Sequence, residues 1–85
     1  MKKVSYDLVR GMLGADVARL QVFLNSETNA GLTIDGVYGA ATFRAVEHFQ
    51  KTRELPVDGQ CGGATLNKAR DLGYPAIEYE VGDGN

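Results

Sequence analysis

One histidine, His48, and one cysteine, Cys61, are all that the sequence offers for nucleophilic or soft-metal chemistry. A catalytic zinc takes three protein ligands, and a Cys–His pair needs its members within reach; no cluster of such residues occurs here. His48 falls on the polar face of a helical stretch and is expected to be solvated. Cys61 has no second cysteine to pair with, so it is expected to be a small buried hydrophobe, or else to pair with another chain. Carboxylate pairs could serve glycoside hydrolysis, but that chemistry needs a larger cleft than 85 residues supply. The Asp-Gly pairs at 35–36 and 58–59 invite comparison with a calcium loop. With Asp35 or Asp58 at the fifth position, the first position is Gly31 or Glu54. The twelfth is then Thr42 or Thr65, where a bidentate Glu is required. No metal, cofactor or catalytic activity is expected.

What remains is a repeated turn. DGVYGAAT begins at Asp35 and DGQCGGAT at Asp58, and both carry Asp-Gly, a second Gly, an Ala and a Thr at the same spacing. Such a repeat marks one supersecondary unit used twice. Asp can hydrogen-bond its own backbone, while Gly36 and Gly59 accept positive φ. Gly39 and Gly62 are expected to let the chain bend sharply into a helix. Thr42 and Thr65 then fall about three residues into that helix, where their hydroxyls can reach back to turn backbone. Gln21 and Gln50 lie on apolar helix faces, and a buried amide must be satisfied. Both are expected to clamp backbone of a neighbouring turn, most simply the Asp-Gly loops.

Three helical periodicities position these turns. Residues 16–25 place Val17, Leu20, Gln21 and Leu24 on one face, with Asp16 as an N-cap or first-turn acid. Residues 40 to about 54 gather Thr42, Ala45, Val46, Phe49 and Gln50, with Arg44, Glu47, His48 and Lys51 opposite. Glu47 and Lys51 form a favourable i,i+4 pair. Residues 64 to about 72 gather Thr65, Leu66, Ala69 and Leu72, closed by Gly73 and Pro75. At the ends, Val4, Tyr6 and Leu8, and Ile77, Tyr79 and Val81, alternate with polar residues. They are expected to pair as a small ribbon on the helices; the alternative is that 76–85 is a tail or linker. The fold class is all-α: a three-helix bundle over residues 1–75, followed by an extended strand or linker over 76–85.

Bulk properties agree with one small domain. The hydrophobic fraction is 44% and the net charge −2. Lys and Arg form no stripe that would neutralise phosphates, so nucleic acid is not an expected partner. No apolar run approaches the roughly 20 residues that cross a bilayer, so no membrane span is expected. The amino terminus lacks the apolar segment of a signal peptide, which is read as removed, carried by a longer parent, or not needed.

Order and spacing of these residues resemble the peptidoglycan-binding domain of bacterial and phage cell-wall hydrolases. The matches are Leu8, Gly11, Gly14, Val17, Leu20 and Gln21, then Asp35, Gly36, Tyr38, Gly39, Thr42, Ala45, Val46, Phe49 and Gln50. Leu55, Pro56, Val57, Asp58, Gly59, Gly62 and Thr65 complete the set. The resemblance implies a three-helix fold, a noncatalytic module that anchors a wall hydrolase, peptidoglycan or muropeptide as ligand, and action at the cell wall. Met12 and Leu13 depart from the pattern, standing where polar residues are usual between the glycines. They are expected to pack under the ribbon or against another chain. Cys61 stands where the family has an aliphatic residue and Ala69 where it has a larger one, so the third-helix seam is expected to be lightly filled. The propeptides of matrix metalloproteinases are also similar, but their zinc-blocking Cys follows the third helix whereas Cys61 precedes it.

Under the wall-binding reading, a shallow groove beside the Asp-Gly loops receives muropeptide or glycan. Asp35 and loop amides would hydrogen-bond the ligand, and Arg10 and Arg44 would meet its carboxylates. Tyr38 would either offer an aromatic face or pack into the bundle. The competing reading is an adaptor in which Met12, Leu13, Phe23 and the terminal strands form a sticky surface, with homodimerisation by strand pairing.

Overall fold

The computed structural model describes residues 2–4, 7–74 and 79–81. The elements run β1 Lys2–Val4, α1 Ala15–Thr28, α2 Ala40–Thr52, α3 Gly63–Asp71 and β2 Tyr79–Val81. β1 and β2 pair antiparallel with Lys3 opposite Glu80. Of the residues expected to alternate along the termini, Tyr6 and Ile77 lie outside the described residues, as does Pro75. Leu8 does not continue the ribbon. Its N–H donates to the Cys61 carbonyl at 3.0 Å and its carbonyl accepts the Cys61 N–H at 2.8 Å, beside the second Asp-Gly turn.

The core forms where the three apolar helix faces meet. Val17, Leu20, Phe23 and Leu24 come from α1, Ala45, Val46 and Phe49 from α2, and Leu66 and Ala69 from α3. Leu8, Tyr38, Cys61 and Tyr74 close the gaps between helix ends. Phe23 is the hub of an aromatic cluster, edge-on to Phe49 at 5.6 Å and to Tyr74 at 5.4 Å between centroids. It is 7% exposed, so it contributes to the core and not to a sticky surface. Met12 packs against the core as well, whereas Leu13 is 74% exposed.

α1 is one turn longer than apolar periodicity suggests. Its last turn, from Asn25, is polar and is held by other bonds. The Thr28 hydroxyl donates to the Leu24 carbonyl at 2.8 Å, and Glu27 accepts from Arg53 of the α2 C-terminus at 3.1 Å. The expected Glu47–Lys51 pair does not form; charge pairs among the described residues include Glu27–Arg53 and Asp16–Arg19. Asp16 acts as a first-turn acid, since Gly14 occupies the N-cap.

α2 and α3 end in the same way. In α3 the Gly73 N–H reaches the Arg70 carbonyl at 3.0 Å and the Tyr74 N–H the Ala69 carbonyl at 2.9 Å, a Schellman closure that tucks Tyr74 into the core. In α2 the Glu54 N–H reaches Lys51 at 3.3 Å and the Leu55 N–H reaches Gln50 at 2.9 Å. There the left-handed position is filled by Glu54, at φ 58°, where α3 has glycine. A side chain in this conformation costs about 1–2 kcal/mol, partly offset by the extra chain entropy that glycine loses. Glu54→Gly should therefore raise stability by about 0.5–1 kcal/mol, read as a higher urea midpoint at unchanged m-value.

Candidate functional site

Both Asp-Gly turns are built around a buried glutamine carboxamide. Gln21 of α1 accepts the Asp35 and Gly36 N–H groups on Oε1, at 3.1 and 3.0 Å. Its Nε2 donates to Asp35 Oδ1 at 2.9 Å, to the Val37 carbonyl at 3.1 Å and to Thr42 Oγ1 at 3.1 Å, so one of its two protons is shared. Gln50 of α2 repeats the circuit on the next turn. Its Oε1 accepts from Asp58 and Gly59, and its Nε2 donates to Asp58 Oδ1, the Gln60 carbonyl and Thr65 Oγ1 at 2.8, 2.8 and 3.0 Å. Each Asp also accepts the N–H two residues on, from Val37 or Gln60. The repeat is thus a three-part unit: a glutamine from one helix, a turn, and a threonine opening the next helix.

Only the first glycine of each copy is required by its backbone. Gly36 and Gly59 sit at φ 72° and 73°. A Cβ on Gly36 would stand 3.0 Å from the Gly14 carbonyl oxygen, and one on Gly59 would overlap the Phe43 ring. Gly39 and Gly62, expected to supply a sharp bend, are ordinary extended N-caps whose carbonyls accept the first helical bonds, from Phe43 and Leu66.

The segment before α1 straps the two turns together. Gly11 N–H donates to the Tyr38 carbonyl, Tyr38 N–H to Met12, and Gly14 N–H to Gly36, at 2.8–2.9 Å, while Arg10 N–H reaches Gln60 Oε1 at 2.9 Å. Tyr38 joins the copies directly: its hydroxyl donates to the Gly59 carbonyl at 2.6 Å. At 1% exposure its ring belongs to the core and cannot offer a face to a ligand, which corrects the contact reading of Tyr38. Burial raises its phenol well above the ordinary range, and pushes the Cys61 thiol up to about 12.

A groove of about 700 Å³ opens beside the first clamp. It runs between the end of α1 with the loop after it, residues 28–33, and the exposed face of α2. Asp35, Arg44 and His48 are its titratable lining residues, over a floor that includes Gly39, Ala41 and Ala45. The structure thus brings Asp35 and Arg44 together and separates Arg10 from them. Arg10 is not among the lining residues; its guanidinium lies 5.3 Å from the Phe43 ring centroid. The connecting loop is fixed by Asn25, whose side chain donates to the Leu32 carbonyl at 2.9 Å and accepts its N–H at 2.7 Å. Sequence reading missed Asn25, although its position one turn after Gln21 was a signal. Nothing in the sequence pointed to Phe43 as a platform for Arg10.

Among the described residues no group of three His, Cys, Asp or Glu could hold a metal, and no helix is long and apolar enough to cross a membrane. Residues 14–68 match the family model of the peptidoglycan binding domain. The chain belongs to the peptidoglycan-binding domain family. It is 42% identical over 67 residues to a zinc D-Ala-D-Ala carboxypeptidase of Streptomyces albus G, covering 76% of this chain and 26% of that protein. It is 41% identical over 76 residues to a spore cortex-lytic enzyme of Bacillus cereus, covering 89% and 28%. The crystal structure of the SleB N-terminal domain superposes with a TM-score of 0.76 at 33% identity, covering 81% of this chain and 94% of that one. The chain therefore spans about a quarter of the length of these curated relatives and nearly all of the solved domain. Membership in this family implies action at the bacterial cell wall.

Two tests probe the clamp. Gly36→Ala should cost about 1–3 kcal/mol, because it combines a left-handed side chain with crowding at Gly14. Gly39→Ser should stay within about 0.5 kcal/mol, because serine suits an N-cap. The second test is pH. Gln21 and the Val37 N–H hold the Asp35 carboxyl below the usual range, and the Gln60 N–H and Gln50 do the same for Asp58. Depressed folded values mean that the stabilisation is complete above the unfolded value of about 4 and is lost as pH falls through the folded ones. The urea midpoint should drop as pH falls below about 4. An Asp35→Asn, Asp58→Asn double variant should drop less.

Proposed function

We propose that this domain is a noncatalytic anchor that holds a wall-degrading enzyme on peptidoglycan through the groove beside the first Asp-Gly turn. The observation that carries the reading is the contrast between the two copies of the clamp. Both are buried and structurally matched, yet the first has Arg44 and His48 on the exposed face of the helix it opens, facing a loop pinned by Asn25. Asp35 completes that lining and fixes the groove to the clamp. The relatives support the role, since a carboxypeptidase and a spore cortex-lytic enzyme carry a segment similar to this one. We assign residues 1–75 to the binding domain and 76–85 to the extended strand or link beyond it. A modest affinity suffices, because a tether on a polymeric wall gains from many contacts at once.

A second reading has one observation in its favour. Leu13, Ile34 and Val37 are exposed around a depression of about 470 Å³ that shares Asp35 and Val37 with the groove. An apolar patch of this kind suits contact with another protein surface, such as the catalytic partner or a second copy. Co-sedimentation with purified sacculi separates the two. The isolated domain should pellet with sacculi, release no soluble wall fragments, and remain monomeric. Failure to pellet, together with a concentration-dependent dimer that Leu13→Asp disperses, would replace the anchor with the adaptor.

A further inference from the structure

We infer that the groove recognises the peptide part of the wall polymer and not its sugar chain, gripping a free carboxylate at Arg44 and a free amino group at Asp35. This rests on the groove being the wall-binding site. The lining carries no Phe, Tyr or Trp. Sugar-binding surfaces gain much of their affinity by stacking apolar ring faces on aromatic side chains, and the one aromatic of the turn motif, Tyr38, is sealed in the core with its hydroxyl spent on Gly59. Its α2 side instead includes Gly39, Ala40, Ala41 and Ala45, whose small size leaves room for the narrow backbone and short side chains of an extended peptide.

The charges point the same way. Among the described residues Arg44 makes no ion pair or hydrogen bond, so its permanently charged fork is available to a carboxylate. Asp35 is fixed through Oδ1 by Gln21 and Val37, which leaves Oδ2 for a ligand donor. The clamp donors also hold this carboxyl ionised. One cation from α2 and one anion from the turn therefore line a single cavity without neutralising each other. A neutral N-acetylated glycan could pair with neither charge and would leave both to be desolvated without return. A wall peptide that is not cross-linked carries both complements, a carboxylate and the free amine of its diamino acid. The loop opposite is already pinned to α1 by the paired Asn25–Leu32 bonds, which lowers the ordering cost of binding.

The test is a titration of the ¹⁵N-labelled domain with three probes. These are the free wall tetrapeptide, the same peptide with its amine acetylated and carboxylates amidated, and glycan strands stripped of peptide by an amidase, with the lactyl carboxylates this exposes then amidated. The free peptide should shift the amides of Asp35, Ala41 and Arg44, and capping should weaken binding at least about tenfold. Stripped glycan should shift none of them. Arg44→Ala should weaken the free peptide by a similar factor at unchanged melting temperature, while Arg10→Ala, outside the groove, should not. Equal binding of the capped peptide, or shifts of the same amides by stripped glycan, would overturn the inference. Sacculi that still pellet wild-type domain while the free peptide fails to bind would overturn it and leave the anchor standing. Sacculi that do not pellet the domain would overturn the anchor itself.

Discussion

The fold depends on two glutamine carboxamides that have been taken out of water and fully re-bonded. A buried amide left unpaired costs a domain of this size a large share of its stability, so Gln21 and Gln50 are tolerable only where donors and acceptors converge on them. The Asp-Gly turn supplies that convergence: two N–H groups on one side, a carboxylate and a carbonyl on the other, and a threonine hydroxyl from the helix that follows. Such an arrangement fixes more than energy. Because every partner must be present at once, the path between two helices is reduced to one geometry, and the next helix is launched in one direction. The same device used twice converts three short helices into a bundle with defined angles.

The two copies have diverged where the clamp leaves them free. The position after the turn is Tyr38 in the first copy and Cys61 in the second, and both side chains go inward. Tyr38 is long enough to cross to the other turn and bond the Gly59 carbonyl, whereas Cys61 only fills space and bonds through its backbone to Leu8. The larger residue therefore ties the copies to one another, and the smaller one makes room for the strap.

Much of this was legible in the residues. Helix faces followed from apolar spacing, and burial of Gln21 and Gln50 followed from their places on those faces. The pairing of each amide with an Asp-Gly turn followed from the need to satisfy it. The rest depended on distances in space. Asn25–Thr28 continue α1 because of an ion pair with Arg53 and a hydroxyl bond within the last turn, neither of which leaves an apolar signature. Tyr38 presented an aromatic that either packs or stacks a ligand, and only the position of Gly59 decides it. Arg10 and Arg44 look equivalent as letters, yet one is held over Phe43 and the other lines a cavity. Glu54 at a left-handed position contradicts local preference and is held there by the Schellman bonds around it.

The strap before α1 has a kinetic meaning. The helices are local and can form within microseconds, but Arg10 and Gln60 are 50 residues apart in sequence when they bond. Closing so wide a loop is entropically costly, and Leu8 cannot meet Cys61 until the second turn exists to receive it. Acquisition of the native state is therefore gated by topology more than by helix content, and this small α-helical chain should assemble on the slower time scale of proteins rich in distant contacts. The residues before α1 are therefore the last to find their places.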